Sequence, residues 1–233
     1  MNDKNQNEIN QLYSSIQKKY GQYKKLLERD EDGSAIIDEI WQLSKKKFKL
    51  HSQAKKGIEQ YKGMIFTVGF SAEPIILNIL ATKPKAIFFI YTKESELTLD
   101  KISEQLKQEG SAYKLNSSKY KREIIKKDSF ASSVDLIGIG LSYLHDEKGI
   151  ALRNIGLDIT GGTKVMSVAC ALAAFCFGPD SPDLFYISHK EYDEELRRPV
   201  FGTEQLKIIR NPLKACSILK EKGFNTDVDL MFK

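Results

Sequence analysis

Apolar positions in the first 60 residues recur at intervals of three and four. Ile9, Leu12, Tyr13, Ile16, Tyr20, Tyr23 and Leu27 mark one face of a helix. The run Asp30, Glu31, Asp32, Gly33 breaks that rhythm, and Ser34 stands where an N-cap belongs. Ile36, Ile37, Ile40, Trp41, Phe48 and Leu50 then give a second helix its apolar side, so the expectation is an antiparallel helical pair. From Met64 the rhythm changes to short apolar runs alternating with helical spacing. Residues 64–68, 86–91, 154–159 and 184–188 read as strands, with 112–115 as a weaker one. Between them, helices are expected over 71–80 with Pro74 in the first turn, and around Leu99, Ile102 and Leu106. Two more are expected through Phe130, Val134, Ile137, Leu141 and Leu144, and over 164–175. Two later runs, 196–201 and 205–210, are split by Gly202, Thr203 and Glu204 and suggest a β-hairpin at the sheet edge. This order implies an α/β fold, a mainly parallel sheet with helices on both faces. Three segments follow: an N-terminal helical segment over 1–61, a ligand-binding domain over 62–211, and a C-terminal helix or start of a linker over 212–233. Asn211-Pro212 marks the last boundary.

Composition narrows the class without naming a function. With 233 residues, 41% hydrophobic and 29% charged, the chain has the make-up of a soluble globular protein. A net charge of +5 is compatible with an anionic ligand but does not by itself indicate nucleic acid. Cys170, Cys176 and Cys216 are odd in number and form no C-x-x-C pair, which argues against a disulfide framework or a zinc site. His51, His145 and His189 lie in different elements, so neither a metal centre nor a nucleophile–base–acid triad is expected, and no cofactor is implied. No run is long enough to span a membrane and no apolar signal core opens the chain; the expectation is a cytoplasmic protein. Lys45, Lys46, Lys47, Lys49, Lys55 and Lys56 cluster on the second helix, where a solvated face is favoured over a nucleic-acid surface.

Chemistry concentrates at 156–167. A buried strand ends in Asp158, a turn follows through Thr160, Gly161, Gly162 and Thr163, and Lys164 opens an apolar helix. Such a turn presents backbone N–H groups at a helix N-terminus, where the dipole favours negative charge. The glycines allow close approach, Thr160, Thr163 and Ser167 offer hydroxyls, and Lys164 adds a cation: a site for phosphate. A tight turn with a merely solvated lysine is the alternative. The turn is not a P-loop, because no Ser or Thr follows Lys164, and no G-x-G-x-x-G is present. Ligands of open parallel sheets bind beyond the carboxyl ends of the strands. Two more strand-end loops meet that condition: Gly69, Phe70 and Ser71 after the first strand, and Thr92, Lys93, Glu94 and Ser95 after the second. Asp158 could order the turn or face a ribose; ordering is favoured, since a carboxylate repels phosphate. Phe70 and Tyr91 could stack on a base or pack, and Met166 reads as core.

The stretch Asp158-Ile159-Thr160-Gly161-Gly162-Thr163-Lys164-Val165-Met166-Ser167 resembles the late signature of the CARF family, the CRISPR-associated Rossmann-fold domains. Upstream, Thr67-Val68-Gly69-Phe70-Ser71-Ala72-Glu73-Pro74 and then residues 83–90 are similar to that family's first strand, its Gly-x-Ser-x-Glu-Pro loop and its second strand. The resemblance covers about residues 62–210, with both motifs in family order. It implies a Rossmann-like fold and a sensor domain that binds a cyclic oligoadenylate, the tetra-adenylate above other rings, across a homodimer in type III CRISPR signalling. Ligand contacts would fall on Gly69, Phe70, Ser71, Thr92, Lys93, Thr160, Gly161, Gly162, Thr163, Lys164 and Ser167. Family members normally carry an effector domain; only about twenty residues follow Asn211-Pro212 here, so the effector would be cut off, a separate partner protein, or absent. The alternative is a stand-alone ring nuclease that opens the ring by metal-independent 2′-hydroxyl attack, for which no residue is an obvious general base. A weaker third reading is a ligand-controlled DNA-binding protein using the basic N-terminal helices.

Overall fold

The structure is a computed structural model and describes residues 3–53, 55–110, 113, 115–116, 118–126, 129–176, 180–210 and 223. Two compact units are present: one of residues 1–58 and 187–206, the other of 59–186 and 207–233.

In the first unit, α1 (Asp3–Glu28) and α2 (Ser34–Gln53) pair as the periodicity requires. Ile16, Tyr20 and Ile40 are buried together with Val200, and Tyr23, Ile36, Ile37 and Phe201 pack around them. A fully buried side chain of this size contributes about 1.5–3 kcal/mol. The cap of α2 differs from expectation. Asp32 accepts from both the Ser34 N–H (2.9 Å) and the Ser34 hydroxyl (3.0 Å), while the Gly33 carbonyl accepts from Ile37. The acid thus takes the capping role.

The lysine cluster of α2 is only in part a solvated face: Lys46 and Lys56 are exposed, the others are drawn in. Lys45 is buried with its ammonium 5.7 Å from the Trp41 ring, Lys46 pairs with Glu8 at 2.9 Å, and Lys47 donates to the Gly202 carbonyl. Lys55 donates to the Leu206 carbonyl. Their stems cover apolar surface while their heads satisfy backbone oxygens and rings.

The second unit is built on a six-stranded, mostly parallel sheet in the order β3-β2-β1-β4-β5-β8, a Rossmann-like α/β architecture. Its strands are β1 (Gly63–Val68), β2 (Ala86–Tyr91), β3 (Tyr120–Ile124), β4 (Ile155–Asp158), β5 (Asp183–His189) and β8 (Glu204–Ile209), and the chain passes between the units within β5 and β8. β1 pairs in parallel with both β2 and β4, and β2 with β3. Helices α3 (Glu73–Thr82), α4 (Glu96–Gln108), α5 (Phe130–Ser142) and α6 (Lys164–Ala173) alternate with the strands. β1, β2 and β4 are buried along their whole length, as expected for a doubly covered sheet. Ile65, Phe88, Ile90 and Leu157 form one core with Ile137 and Leu141 of α5 and Met166 and Cys170 of α6. Phe66 and Phe89 alternate to the other face, their rings stacked at 5.7 Å.

Two elements depart from the sequence reading. The third strand is Tyr120–Ile124 rather than 112–115, of which the described residues, Tyr113 and Leu115, are not in a strand. β3 is an edge strand, and its Lys121, Arg122 and Glu123 are the charges by which edges resist further pairing. The expected hairpin between 196–201 and 205–210 does not form. Instead β6 (Tyr192–Asp193) and β7 (Arg198–Pro199) make a separate two-stranded antiparallel sheet, and β8 alone lies at the sheet edge. Leu196 N–H is held by the Asp193 carboxylate (3.0 Å), which closes a tight turn ahead of the expected strand. The boundary at Asn211-Pro212, the expected C-terminal helix or linker that follows it and Cys216 lie outside the described residues, Gly223 apart. No helix among the described residues is long and apolar enough to cross a membrane.

Candidate functional site

The chain leaves β1 for β2 and β3 on one side, then returns to the other side of β1 to form β4 and β5. The strand order therefore reverses between β1 and β4, and the crevice beyond their carboxyl ends is where such sheets bind ligands. Phe66 pairs with Asp158 and Val68 with Tyr91, so the three loops singled out in sequence start side by side. They enclose a cavity of about 420 Å³. Gly69, Phe70, Ser71, Thr92, Thr160, Gly161, Gly162 and Thr163 line it, joined by Val68, Pro74, Glu94 and Ser95.

The first and third loops interlock through their glycines. A Cβ on Gly161 would lie 2.5 Å from the Thr67 carbonyl oxygen, and one on Gly69 would lie 2.8 Å from the Gly162 nitrogen. Gly162 has φ +68, and a Cβ there would strike the Thr67 side chain at 2.7 Å. Close approach is thus demanded first by the protein's own backbone. Thr67 adds to the lock: its hydroxyl lies 3.2 Å from the Asp158 carbonyl and 3.1 Å from that of Gly161.

Beneath the turn, Asp158 is fully buried. Its carboxylate accepts the Thr160 N–H at 2.9 Å and the Asn78 side-chain amide from α3. Burial pushes the carboxyl up to about 6, against the hydrogen bonds from Thr160 and Asn78 that favour its charged form. The residue orders the turn and does not line the cavity.

α6 begins at the cavity. Thr163 is its N-cap, accepting the Met166 N–H at 3.3 Å, and Lys164 is its exposed first residue. N–H groups and dipole there favour an anion. The second loop is closed by the Thr92 N–H donating to Ser95 Oγ (3.0 Å), and α4 follows. This turn brings Glu94, not Lys93, to the cavity wall. The Glu94 carboxyl is held below its ordinary value by its own backbone N–H and by the Thr92 hydroxyl. Lys93 and Lys164 are exposed and do not line the cavity, while the Ser167 hydroxyl donates to the carbonyls of Thr163 (3.2 Å) and Ile159 (3.3 Å). Phe70 is 82% exposed at the mouth, whereas Tyr91 and Met166 are packed in the core.

His145 Nδ1 is engaged with the Ile150 carbonyl at 3.0 Å, and no cluster of three or more metal-ligating side chains occurs among the described residues. The geometry suits phosphate held by backbone and hydroxyl donors.

No family model matches the chain. It is 33% identical over 153 residues to the CRISPR system endoribonuclease Csm6 of Thermus thermophilus, a match that covers 65% of this chain and 30% of that protein. That similarity falls on a chain whose two loop motifs resemble the CARF family. Among solved structures, Can2 from Sulfobacillus thermosulfidooxidans in complex with cyclic tetra-adenylate is 14% identical with a TM-score of 0.43, covering 56% of this chain and 33% of that one. Enterococcus italicus Csm6 bound to cyclic hexa-2′-fluoro-hexa-dAMP is 14% identical with a TM-score of 0.46, covering 69% and 44%. The chain thus spans about a third of the length of the Thermus relative it matches.

Proposed function

We propose that this chain is a CARF-type sensor of a cyclic oligoadenylate, the tetra-adenylate above other rings, acting in type III CRISPR signalling and controlling an effector outside the described residues. The observation that carries this reading is the meeting of the Gly69-Phe70-Ser71 loop and the Thr160–Thr163 turn in one cavity at the strand-order reversal. Hydroxyls, a helix N-terminus and an exposed lysine there suit phosphates, and the exposed Phe70 ring offers a base a stacking surface.

Size supports a homodimer. A cavity of about 420 Å³ is that of a single drug-sized ligand and takes only part of a four-nucleotide ring. A second copy related by a two-fold axis would offer the same contacts to the remainder. A face suited to that pairing continues from the site. Val168 and Leu172 follow Lys164 at intervals of four along α6, and Phe130 and Val134 lie one turn apart on α5. These four apolar side chains are 38% to 53% exposed.

Ring opening by the protein itself is the competing reading, and Glu94 is the one carboxylate on the described cavity wall. Its hydrogen bonds stabilise the charged form and make it a weak proton acceptor, which favours the sensor. The test is calorimetry with cyclic tri-, tetra- and hexa-adenylate followed by chromatography of the nucleotide. One intact ring bound per two chains supports the sensor. Linear product over many turnovers replaces it with a ring nuclease, and no binding to any ring removes both.

A further inference from the structure

The first unit has a crevice of its own, about 270 Å³, whose walls all belong to that unit. α1 contributes Gln6, Asn10 and Tyr13, spaced to share one helix face, and α2 contributes Lys47 and His51, one turn apart. The remaining wall comes from residues 190–191 and 202–205.

Basic groups converge there with hydrogen-bonding capacity left over. Lys47 is half-buried, with its ammonium 2.5 Å from the Gly202 carbonyl and 5.3 Å from the Tyr13 ring centre. An ammonium has three donors, so two remain after the Gly202 contact. Neither His51 nor Lys190 makes a side-chain hydrogen bond or ion pair among the described residues. The two acids of the crevice already have donors from the protein. Glu191 accepts the Tyr13 hydroxyl at 2.6 Å, and the buried Glu204 accepts the Gly202 N–H at 3.1 Å.

We propose that this crevice is a second ligand site, in which Lys47, His51 and Lys190 hold a small phosphate-type anion. Such an anion relieves a repulsion that the fold leaves in place. Burial holds the His51 imidazole below its ordinary value, and the charges of Lys55, Lys47 and Lys190 press it the same way. Burial also lowers Lys47 and raises Glu204, and Lys47 and Glu204 act on each other in the opposite sense. A dianion beside these groups favours the protonated imidazole, which then becomes a further donor. The anion is either free phosphate or the phosphoryl end of a nucleotide, since both present the same oxygens.

The three histidines, followed by NMR in the full chain, report on this directly. Inorganic phosphate should move the His51 resonances saturably and leave those of His145, in the other unit, in place. Sulfate, whose charge is constant across the range, should raise the titration midpoint of His51. Lys190→Ala, an exposed position, should weaken phosphate binding by about fivefold or more with an unchanged unfolding midpoint. AMP binding more tightly than phosphate would assign a nucleotide as the source, and equal affinity would assign free phosphate. No saturable movement of His51 up to about 50 mM phosphate, or the same movement in Lys190→Ala, would mean an adventitious ion only and overturn the proposal.

Discussion

Asp158 gives the glycine turn beneath which it lies its pH dependence. Its carboxyl rises to about 6 in the fold, from an ordinary 3.8, so the native state holds the proton more tightly than the unfolded chain. The corresponding stability is full below about pH 4 and is lost as pH rises through about 6, a change of roughly 3 kcal/mol. Asn78 Oδ1 is buried without a partner, and with the amide turned over it can accept from a protonated Asp158 or from an asparagine at that position. Asp158→Asn should therefore lose less stability than the wild type between pH 4.5 and 7.5 in urea unfolding. Equal losses would place the pH dependence elsewhere. In the proposed site, Lys164, exposed at the start of α6, acts on the ligand instead of the fold. Lys164→Ala should weaken cyclic oligoadenylate binding at least about tenfold in calorimetry, or 1.4 kcal/mol, with no change in unfolding midpoint. The glycine turn and the start of α6 at Lys164 were legible in sequence because their residue types and spacing are local facts. The interlock of Gly69 with Gly162 was not, since it depends on two backbones 93 positions apart lying in contact.

At the scale of elements, the start of α6 depends on one hydroxyl. Thr163→Ala should destabilise the protein by about 1 kcal/mol, while Thr163→Ser should retain most of that stability, both read from denaturant midpoints. Strands buried on both faces were read closely, β2 to the residue, because their composition is that of the core. β3 escaped because an edge strand with charged side chains carries no apolar signal. The 196–201 run was misplaced for a related reason: its apolar residues pack against α1 and α2, so burial there reports a helical neighbour and not a strand partner. The lysines of α2 show the same limit. Lys45 and Lys47 read as solvated charges, yet each ammonium lies over a ring.

At the scale of the whole molecule, the proposed pairing of two copies makes a separable prediction. Leu172→Glu, at a half-exposed site on the last turns of α6 and away from the cavity lining, should shift sedimentation from dimer to monomer. If two copies share one ring, the same change should weaken ligand binding, whereas an unshifted dimer would place the interface on another face. The single-copy cavity should then bind a linear di-adenylate better than the monomeric variant binds a ring.

The order of strands and helices, the α/β class, the paired N-terminal helices and the identity of the three strand-end loops were determined along the chain itself. Each follows from periodicity, turn residues or motif spacing within a few tens of residues. Tertiary structure alone decided which edges the sheet has, that Asp158 is buried on Asn78, that Glu94 rather than Lys93 reaches the cavity, and that the α2 lysines are engaged. Those outcomes depend on which distant segments become neighbours. Burial and hydrogen bonding at a residue are properties of that neighbourhood, and the same lysine or aspartate reads alike in sequence whether it is solvated or enclosed.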